Sequence, residues 1–275
     1  MVKEITVSSQ ANTNAFMPDK TGNKDSKIKL VVPVLSGKGG VGKSLVTSLL
    51  AIGMRRKGYE VGILDADLTG PSIPKAFGLD HMRAVGTEDG MLPVKTLSGI
   101  QVQSLNLLLE DNQDPVVWRG PMLTQAIQQF WQETVWGDID ILFIDMPPGT
   151  ADVALTVAHS FPVDGLIMVT TPQQLVEMIV GKGIRMAEML QTPVWGLVEN
   201  MSYFECPTCE TKHEIFGESR VEELAEKWNI PSHARMPIVP GLSEIVDEGR
   251  LEQLAYEPAE PILAYIEEQL KAKQA

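Results

Sequence analysis

The stretch SGKGGVGKS, residues 36 to 44, has the spacing of a loop that binds the phosphates of a nucleotide. It fits the pattern G-x-x-x-x-G-K-S/T, and it lies between an apolar strand pattern and a helical pattern, which is the context that this motif requires. Closely spaced glycines let backbone N–H groups turn toward phosphate oxygens, and the helix that follows adds its positive N-terminal end. The expected phosphate-binding residues are Gly37, Gly39, Gly40, Val41, Gly42, Lys43 and Ser44.

Three side chains of this loop are expected to act in different ways. Lys43 should contact the β and γ phosphates, and the Ser44 hydroxyl should coordinate Mg²⁺. Lys38 stands at a position where a standard phosphate loop needs no cation, and its side chain should point away from the phosphates that its own loop holds. We therefore predict that Lys38 serves a different purpose from Lys43.

Two carboxylate sites follow, at the ends of strand-like runs. Asp65 and Asp67 come at the end of YEVGILDAD, and Asp145 ends the run DIDILFID. Ligands of α/β sheets gather at the carboxyl ends of the strands. Asp145 is expected to hold Mg²⁺ directly or through water. The prolines and glycine after it suit a loop that senses the γ-phosphate.

Cys206 and Cys209 form a Cys-x-x-Cys pair, and the chain has no other cysteine. Taken alone, the pair is compatible with a redox dithiol, with half of a zinc site shared between two chains, or with an inert pair. The redox dithiol fits poorly, because the motif does not open a helix after an early strand. His213 could be a third zinc ligand, although a lone histidine in ETKHEIFG is more typical of a surface residue.

Apolar runs that alternate with helical patterns must position these residues. The expected strands are IKLVVPVL, YEVGILDAD, GIQVQSLNL, DIDILFIDM, GLIMVTTP and VWGLVENMS, and helices are expected over residues 44–57, 121–134, 173–190 and 219–228. Buried strands joined by crossover helices predict an α/β fold with a doubly wound, mostly parallel sheet flanked by helices. Pro33 lies inside the first strand, where a proline removes a ladder hydrogen bond, so a bulge is expected there.

Composition and charge limit the organisation and the partners of the chain. Residues 1–26 are polar and lack a period, so we expect a disordered N-terminal tail there and one domain over residues 27–275. The N-terminus lacks the apolar core of a signal peptide, and no apolar run has the length of a membrane span, so a cytoplasmic protein without a membrane partner is expected. A formal net charge of −13 without a basic cluster argues against nucleic acid as a partner.

The loop GKGGVGKS resembles the deviant Walker A motif of the MinD and Mrp class of P-loop ATPases. In that class the first lysine crosses a dimer interface to the nucleotide of the partner. The resemblance thus implies that Lys38 stabilises transition-state charge in trans, as an arginine finger does. It also implies that Asp67 orients the attacking water, that Asp65 supports the metal, and that the chain hydrolyses ATP with Mg²⁺ as a homodimer.

Further stretches are similar to the Mrp or ApbC subgroup, the iron–sulfur cluster carrier ATPases. They are LDADLTGPSIPKAFG, WRGPMLTQAIQQF, DILFIDMPPGTADV, and LVENMSYFECPTC with a following IFG, within a similarity that covers nearly everything but the tail. Asn200 matches the position whose side-chain amide recognises adenine. Arg119 matches the subgroup without an assigned role, and Glu210 replaces the glycine that usually follows Cys209.

The resemblance implies a use for the cysteines. A [4Fe–4S] cluster takes four thiolates and this chain supplies two, so two chains are expected to share one cluster through Cys206 and Cys209. The implied function is an ATPase that carries this cluster and transfers it to apo-proteins.

The alternative is a regulatory ATPase of the MinD or ParA kind whose cysteines bind structural zinc. A membrane-binding regulator needs a basic amphipathic C-terminal helix, whereas PILAYIEEQLKAKQA places acidic residues beside a narrow apolar stripe. The stripe is formed by Ile262, Ile266 and Leu270, and we expect it to pack on the core of the same chain.

Overall fold

The computed structural model describes residue 20 and residues 22–67, 72–107, 120–149, 151–172, 176–255 and 259–274. Within this part of the chain the strands are β1 (Lys27–Ser36), β2 (Val61–Asp65), β3 (Val85–Thr87), β4 (Gly90–Leu92), β5 (Val94–Lys95), β6 (Gln101–Ser104), β7 (Asp138–Asp145), β8 (Leu166–Thr170), β9 (Val194–Glu205), β10 (Lys212–His213) and β11 (Ser232–Ile238). The helices are α1 (Lys43–Arg56), α2 (Ile73–Ala76), α3 (Gly120–Glu133), α4 (Ala151–Ser160), α5 (Val176–Met189), α6 (Val221–Lys227), α7 (Leu242–Asp247) and α8 (Glu260–Gln274).

A nine-stranded sheet lies at the centre of the described residues, in the order β10-β9-β8-β1-β7-β2-β6-β5, with β11 also paired to β9. Every neighbouring pair from β11 to β6 is parallel, whereas β10 and β5 run antiparallel to their partners. Strands β3 and β4 form a separate two-stranded sheet. The predicted doubly wound, mostly parallel sheet is confirmed. Its order reverses at β1, where such folds place their ligands.

Apolar clusters cover both faces of this sheet. Val32 and Val34 of β1 belong to a cluster that includes residues of α1 and α8. Val31 and Leu35 belong to a second cluster, with residues of α3 and α4 on the opposite face. A third cluster joins β8 and β9 to α5 and α6. Alternate residues of β1 therefore bury toward opposite faces, which is the pattern of a parallel strand covered by helices on both sides.

Helix α8 closes one face of the sheet. Ile262, Ile266 and Leu270 are fully buried in the first cluster, so the prediction that this stripe packs on its own core is confirmed. Lys57, the C-cap residue of α1, lies 2.8 Å from Glu260 of α8, measured between Nζ and Oε1, and links the two helices at the surface. Of the helices in the described residues, none combines the length and the apolar character that crossing a bilayer requires.

Pro33 lies in β1 without a bulge toward β7. The register pairs Pro33 with Ile144 and continues without a shift on either side. The Val31 N–H donates to Asp164 Oδ2 on the β8 side, and Pro33 faces the same way because alternate residues of a strand share a direction. Pairing of β1 with β8 begins at Val34. The proline therefore lies just before the β8 ladder starts, and the expectation of a bulge is wrong.

Residues 22–26 differ from the expected tail. Asn23 is buried, and its Nδ2 donates to a backbone carbonyl of the β3–β4 turn at 3.0 Å. The Ser26 hydroxyl accepts the Trp136 N–H at 2.8 Å. This segment is part of the folded domain because residues distant in sequence satisfy its polar groups. The rest of the expected tail, apart from residue 20, lies outside the described residues.

Candidate functional site

The phosphate-binding loop connects the C-terminal end of β1 to the N-terminal end of α1, at the point where the strand order reverses. Gly40 and Gly42 have φ angles of 78° and 79°, a left-handed conformation that glycine adopts without the steric cost of a Cβ atom. Gly42 is also the N-cap of α1. A Cβ atom at Gly42 would lie 2.3 Å from Nδ2 of Asn200, so a larger residue would displace that side-chain amide. The loop thus presents backbone N–H groups and a helix N-terminus together, which is the geometry that binds phosphate.

A cleft of about 610 Å³ opens beside this loop. The polar part of its lining includes loop residues 39–44, Asp67 and Asn200. The apolar part includes Met201, Phe216, Ile238, Val239 and Leu242. A concave site that combines an apolar wall with a few polar groups is typical of small-ligand binding, and this one has the parts for a phosphate tail and an aromatic base.

The Asp145 carboxyl group accepts hydrogen bonds from three side chains beneath the loop. Its Oδ1 lies 2.7 Å from Lys43 Nζ and accepts the Thr47 hydroxyl at 2.9 Å. Its Oδ2 accepts the Ser44 hydroxyl at 2.5 Å. Complete burial raises the pKa of Asp145, and Lys43, Ser44 and Thr47 oppose that rise by stabilising the carboxylate. The loop and the end of β7 are therefore linked through one carboxyl group.

Asp65 lies beside Asp145, because β2 and β7 are neighbours and these two residues are paired in register. Its Oδ2 accepts the Ser104 hydroxyl at 2.9 Å, and its Oδ1 accepts the Asp67 N–H at 3.2 Å. Complete burial, followed by the nearby charge of Asp145, raises the pKa of Asp65 well above its ordinary value. Oδ2 of Asp67 lies 3.7 Å from Lys43 Nζ. The structure thus brings the predicted carboxylates and the predicted lysine together.

The oxygen atoms around Asp145 suit a hard divalent cation. The Ser44 hydroxyl and the carboxyl groups of Asp65, Asp67 and Asp145 are the donor types that Mg²⁺ prefers. Lys43 is the buried cation that lies against two of these carboxyl groups. A further cation would offset the repulsion between adjacent buried carboxylates, so the residues present fit Mg²⁺.

Replacing Asp65 with asparagine is expected to stabilise the nucleotide-free protein at pH 8. Because the folded-state pKa of Asp65 is raised, its contribution to stability is complete below the unfolded pKa and is lost as pH rises through the folded pKa. Asparagine has the same size and stays neutral. Thermal melts should give a melting temperature about 2–4 °C higher for Asp65→Asn at pH 8, with the difference shrinking toward pH 4.

The control for this experiment is Asp138→Asn, because the Asp138 side chain is largely exposed at the start of β7. It should leave the melting temperature nearly unchanged across the same pH range. A lower melting temperature for Asp65→Asn at pH 8 would mean that the folded state favours the Asp65 carboxylate, which contradicts the raised pKa.

Thr47 and Ser104 are site residues that the sequence reasoning missed. Thr47 is one helical turn after Lys43, and its hydroxyl lies 3.0 Å from the Lys43 carbonyl as well as against Asp145. Ser104 ends β6 and is paired in register with Asp65. The available signals were the i, i+4 spacing from Lys43 and a polar residue inside the predicted strand GIQVQSLNL.

Asn200 lies on the cleft and against the loop. Its Nδ2 donates to the Val41 carbonyl at 2.9 Å, and its Oδ1 accepts the Met201 N–H at 2.9 Å. Met201 has a φ of 55° inside β9, next to the point where the register with β11 shifts. The side-chain amide is therefore positioned beside the phosphate loop, where it links β9 to that loop.

Lys38 is placed differently from Lys43. Among the described residues that line the cleft, Gly39 to Ser44 are present and Lys38 is not. The Lys38 carbonyl accepts the Ser36 hydroxyl at 3.0 Å, which holds the backbone at the start of the loop. Its role in trans stays a prediction. Arg119 lies outside the described residues.

Cys206 and Cys209 lie in the turn between β9 and β10. The turn is closed by the Cys206 N–H to the Thr211 carbonyl at 3.0 Å and by the Glu210 N–H to the Cys206 carbonyl at 2.8 Å. Glu210 has a φ of 58°, which explains why glycine suits this position and shows that the present chain accepts a glutamate there at a steric cost of about 1–2 kcal/mol. Both thiols are free, and Cys209 is exposed.

The thiol of Cys209 is disposed to ionise. Its Sγ lies 3.3 Å from Thr211 Oγ1, and this hydrogen bond, followed by the Thr211 backbone and Cys206, lowers the pKa of Cys209. The thiolate is the form that binds metals. Among the described residues no His, Asp or Glu side chain joins the two thiols in a three-ligand metal site, and the His213 ring instead stacks on Phe204 at a centroid distance of 6.5 Å.

Comparisons with known proteins agree with this geometry. A family model described as "ParA: NUBPL iron-transfer P-loop NTPase" matches residues 27–271. The iron-sulfur cluster carrier protein of Clostridium perfringens is 45% identical over 257 residues, covering 91% of this chain and 90% of that protein. The iron-sulfur cluster carrier protein of Methanocaldococcus jannaschii is 44% identical over 225 residues, covering 82% of this chain and 78% of that protein.

Solved structures give the same fold. A nucleotide-binding protein from Archaeoglobus fulgidus, solved in complex with ADP, superposes with a TM-score of 0.75 at 40% identity and covers 84% of this chain and 90% of its own. The MinD cell division protein of Aquifex aeolicus superposes with a TM-score of 0.62 at 17% identity, covering 88% of this chain and 97% of its own. The second similarity concerns the fold alone.

Proposed function

Because the chain belongs to the NUBPL iron-transfer family of P-loop NTPases, we propose that it is a Mg²⁺-dependent ATPase that carries iron–sulfur clusters. It acts as a homodimer, binds a [4Fe–4S] cluster through Cys206 and Cys209 of both chains, and transfers the cluster to apo-proteins. The cluster is the cargo, and ATP is the second substrate. The observation that carries the proposal is a pair of free thiols on a hairpin, in a chain with a phosphate loop of this geometry.

The nucleotide half of the proposal assigns a role to each residue of the site. Loop N–H groups hold the phosphates, Lys43 balances their charge, and the Asn200 amide lies where it can meet the base. Ser44 and Asp145 would hold Mg²⁺ with support from Asp65, and the ion would supply further charge stabilisation at the phosphates. Asp67 positions the attacking water. Lys38 of each chain acts at the nucleotide of the other chain, which requires the homodimer.

The cluster half of the proposal rests on the thiols. One chain provides two cysteines, and a [4Fe–4S] cluster takes four thiolates, so a two-fold axis between the hairpins of two chains completes the ligand set. The lowered pKa of Cys209 favours the ligating form, and the exposure of that thiol leaves the cluster accessible to a recipient. Zinc shared by the same four thiolates is the competing occupant.

The proposed setting is the cytoplasm. Free thiols and cluster chemistry both require a reducing compartment. A net charge of −13 repels nucleic acid and anionic lipid unless basic residues are segregated into a patch. We therefore propose neither as a partner. The recipients are apo-proteins that lack their cluster.

Anaerobic reconstitution with iron and sulfide is the experiment that tests the proposal. The wild-type protein should take up about four irons per two chains, develop broad visible absorbance, and have the native mass of a dimer. Cys206→Ala should lose the iron and the absorbance, because the remaining thiols provide too few ligands. The measurements are metal content, the visible spectrum and native mass on one preparation.

Thr208→Ala is the matched control, since Thr208 lies between the two cysteines without being a proposed ligand. It should bind iron like the wild type. A colourless dimer with one zinc ion would contradict the carrier function and support a regulatory ATPase whose cysteines bind structural zinc. A colourless, metal-free monomer would reject the carrier function altogether.

A further inference from the structure

Phe216 is a half-exposed aromatic side chain on the wall of the nucleotide cleft. It is 48% exposed and lines the cleft together with Ile238 and Leu242. Among the described residues it belongs to none of the three buried apolar clusters. A ring of this size outside a core leaves apolar surface in water, and such surface in a concave site is typical of ligand contact.

The composition of the cleft places a nucleotide base near this ring. The phosphates must lie at the loop, because its N–H groups and Lys43 are there. The remaining lining is mainly apolar, with Met201, Phe216, Ile238 and Val239 among its members. Within this set Phe216 is the aromatic residue, and bases stack on aromatic rings.

The segment that carries Phe216 is the continuation of the cysteine turn. After Cys209 the chain pairs with β9 through β10 and then makes a turn in which the Gly217 N–H donates to the Glu214 carbonyl at 3.1 Å. Gly217 has a φ of 107°, so the chain leaves Phe216 in a conformation that favours glycine. Only residues 210–215 separate Cys209 from Phe216, and β10, within this stretch, is hydrogen-bonded to β9.

An ion pair anchors this segment to the strands beside the cleft. Glu214 Oε1 lies 2.5 Å from Arg235 Nη2, and Arg235 Nε donates to the Ser202 hydroxyl at 2.8 Å. Arg235 is in β11, which ends at the cleft residue Ile238, and Ser202 is in β9 close to Asn200. The cysteine turn and the cleft wall are thus connected through one set of contacts.

We propose that Phe216 contacts the base of the bound nucleotide and thereby couples nucleotide binding to cluster binding at Cys206 and Cys209. The cluster part of this inference rests on the proposed function. Cluster ligation by the two thiols fixes one conformation of the cysteine turn. Because the turn and Phe216 are close in sequence, that conformation also sets the position of the Phe216 ring in the cleft. Coupling of two binding sites is reciprocal, so a bound cluster changes the affinity for nucleotide by the same factor as nucleotide changes the affinity for the cluster.

The base contact is tested by calorimetric titration of the metal-free protein with ADP and with tripolyphosphate, which has no base. Phe216→Ala should weaken ADP binding about tenfold, the range expected for loss of one base stack, and leave tripolyphosphate binding unchanged. Phe216→Trp should keep the ADP affinity. Ile215→Ala is the matched control, because Ile215 is the exposed neighbour that does not line the cleft among the described residues, and it should bind both ligands like the wild type.

The coupling is tested by repeating the ADP titration on the cluster-loaded protein. The wild type and Ile215→Ala should show different ADP affinities with and without the cluster, and Phe216→Ala should show the same affinity in both states. Unchanged ADP binding by Phe216→Ala overturns the base contact, and a cluster effect that persists in Phe216→Ala overturns the coupling. If the wild type takes up no cluster, the proposed function fails while the metal-free titration still decides the base contact.

Discussion

Lys43→Ala is expected to abolish ATP turnover and to leave cluster binding intact, whereas Cys206→Ala is expected to do the reverse. Lys43 is the buried cation of the phosphate loop, with Nζ 2.7 Å from Asp145. Its removal takes away the charge that faces the β and γ phosphates, so we expect turnover to fall by at least about 10²–10³-fold. The thiols lie on the β9–β10 hairpin, which does not contain Lys43, and keep their geometry.

Both activities are measured on the same preparations, as phosphate release and as iron content after reconstitution. Loss of Lys43 leaves the buried Asp145 without its charged partner, which destabilises the fold by about 3–5 kcal/mol, so a thermal melt belongs with the assay. Retained iron binding by Lys43→Ala would show that the protein is folded. Cys209→Ala should behave like Cys206→Ala, because each removes two of the four shared thiolates. A full cluster bound to Cys206→Ala would disprove the shared-ligand arrangement.

Mixing Lys38→Ala with Asp67→Asn is expected to restore ATP hydrolysis that neither variant has alone. If Lys38 acts across the dimer, a mixed dimer contains one site with an intact Asp67 and an intact Lys38 from the partner. Equal mixing makes half of the dimers mixed, each with one intact site of two, so about a quarter of the wild-type rate should return. Phosphate release is measured after mixing, and native mass spectrometry counts the mixed dimers.

In the control, the Lys38→Ala variant is mixed with a double variant that carries both Lys38→Ala and Asp67→Asn. No site in that mixture has an intact Lys38, so no activity should return. If the first mixture also stays inactive although mixed dimers are present, Lys38 acts within its own chain, and the prediction of action in trans is wrong. The same result would remove one of the two arguments for the homodimer, and the shared cluster would remain as the other.

The strands and helices that carry the site were predictable because their signals are local. The run before Ser36, the glycines of the loop and the helix pattern after Lys43 are contiguous, so β1, the loop and α1 follow from one stretch of chain. Asp65 and Asp145 end apolar runs that β2 and β7 match closely. A parallel sheet places such strand ends on one edge, so proximity of these carboxyl groups follows from the fold class.

Strands that are short or that lack a long buried run were not predictable in the same way. β10 has two residues, and β11, SHARMPI, mixes charged and apolar residues without a long buried run. Both are held by β9, so their pairing depends on a neighbour distant in sequence. The expected bulge at Pro33 was wrong for a related reason. Whether the missing N–H of Pro33 costs a ladder hydrogen bond depends on which strand lies beside it, and that is set by residues distant in sequence.

Residue types and spacing alone were enough to indicate a nucleotide phosphate loop and a doubly wound sheet, because the loop is a contiguous motif and the sheet follows from alternating strand and helix patterns. Tertiary structure was needed to place the hydroxyl groups of Thr47 and Ser104 on buried carboxyl groups and Phe216 on the wall of the cleft. Hydrogen bonds of buried carboxylates and the lining of a cavity join side chains from separate elements. Their partners are set by strand register and helix position, which no local pattern encodes.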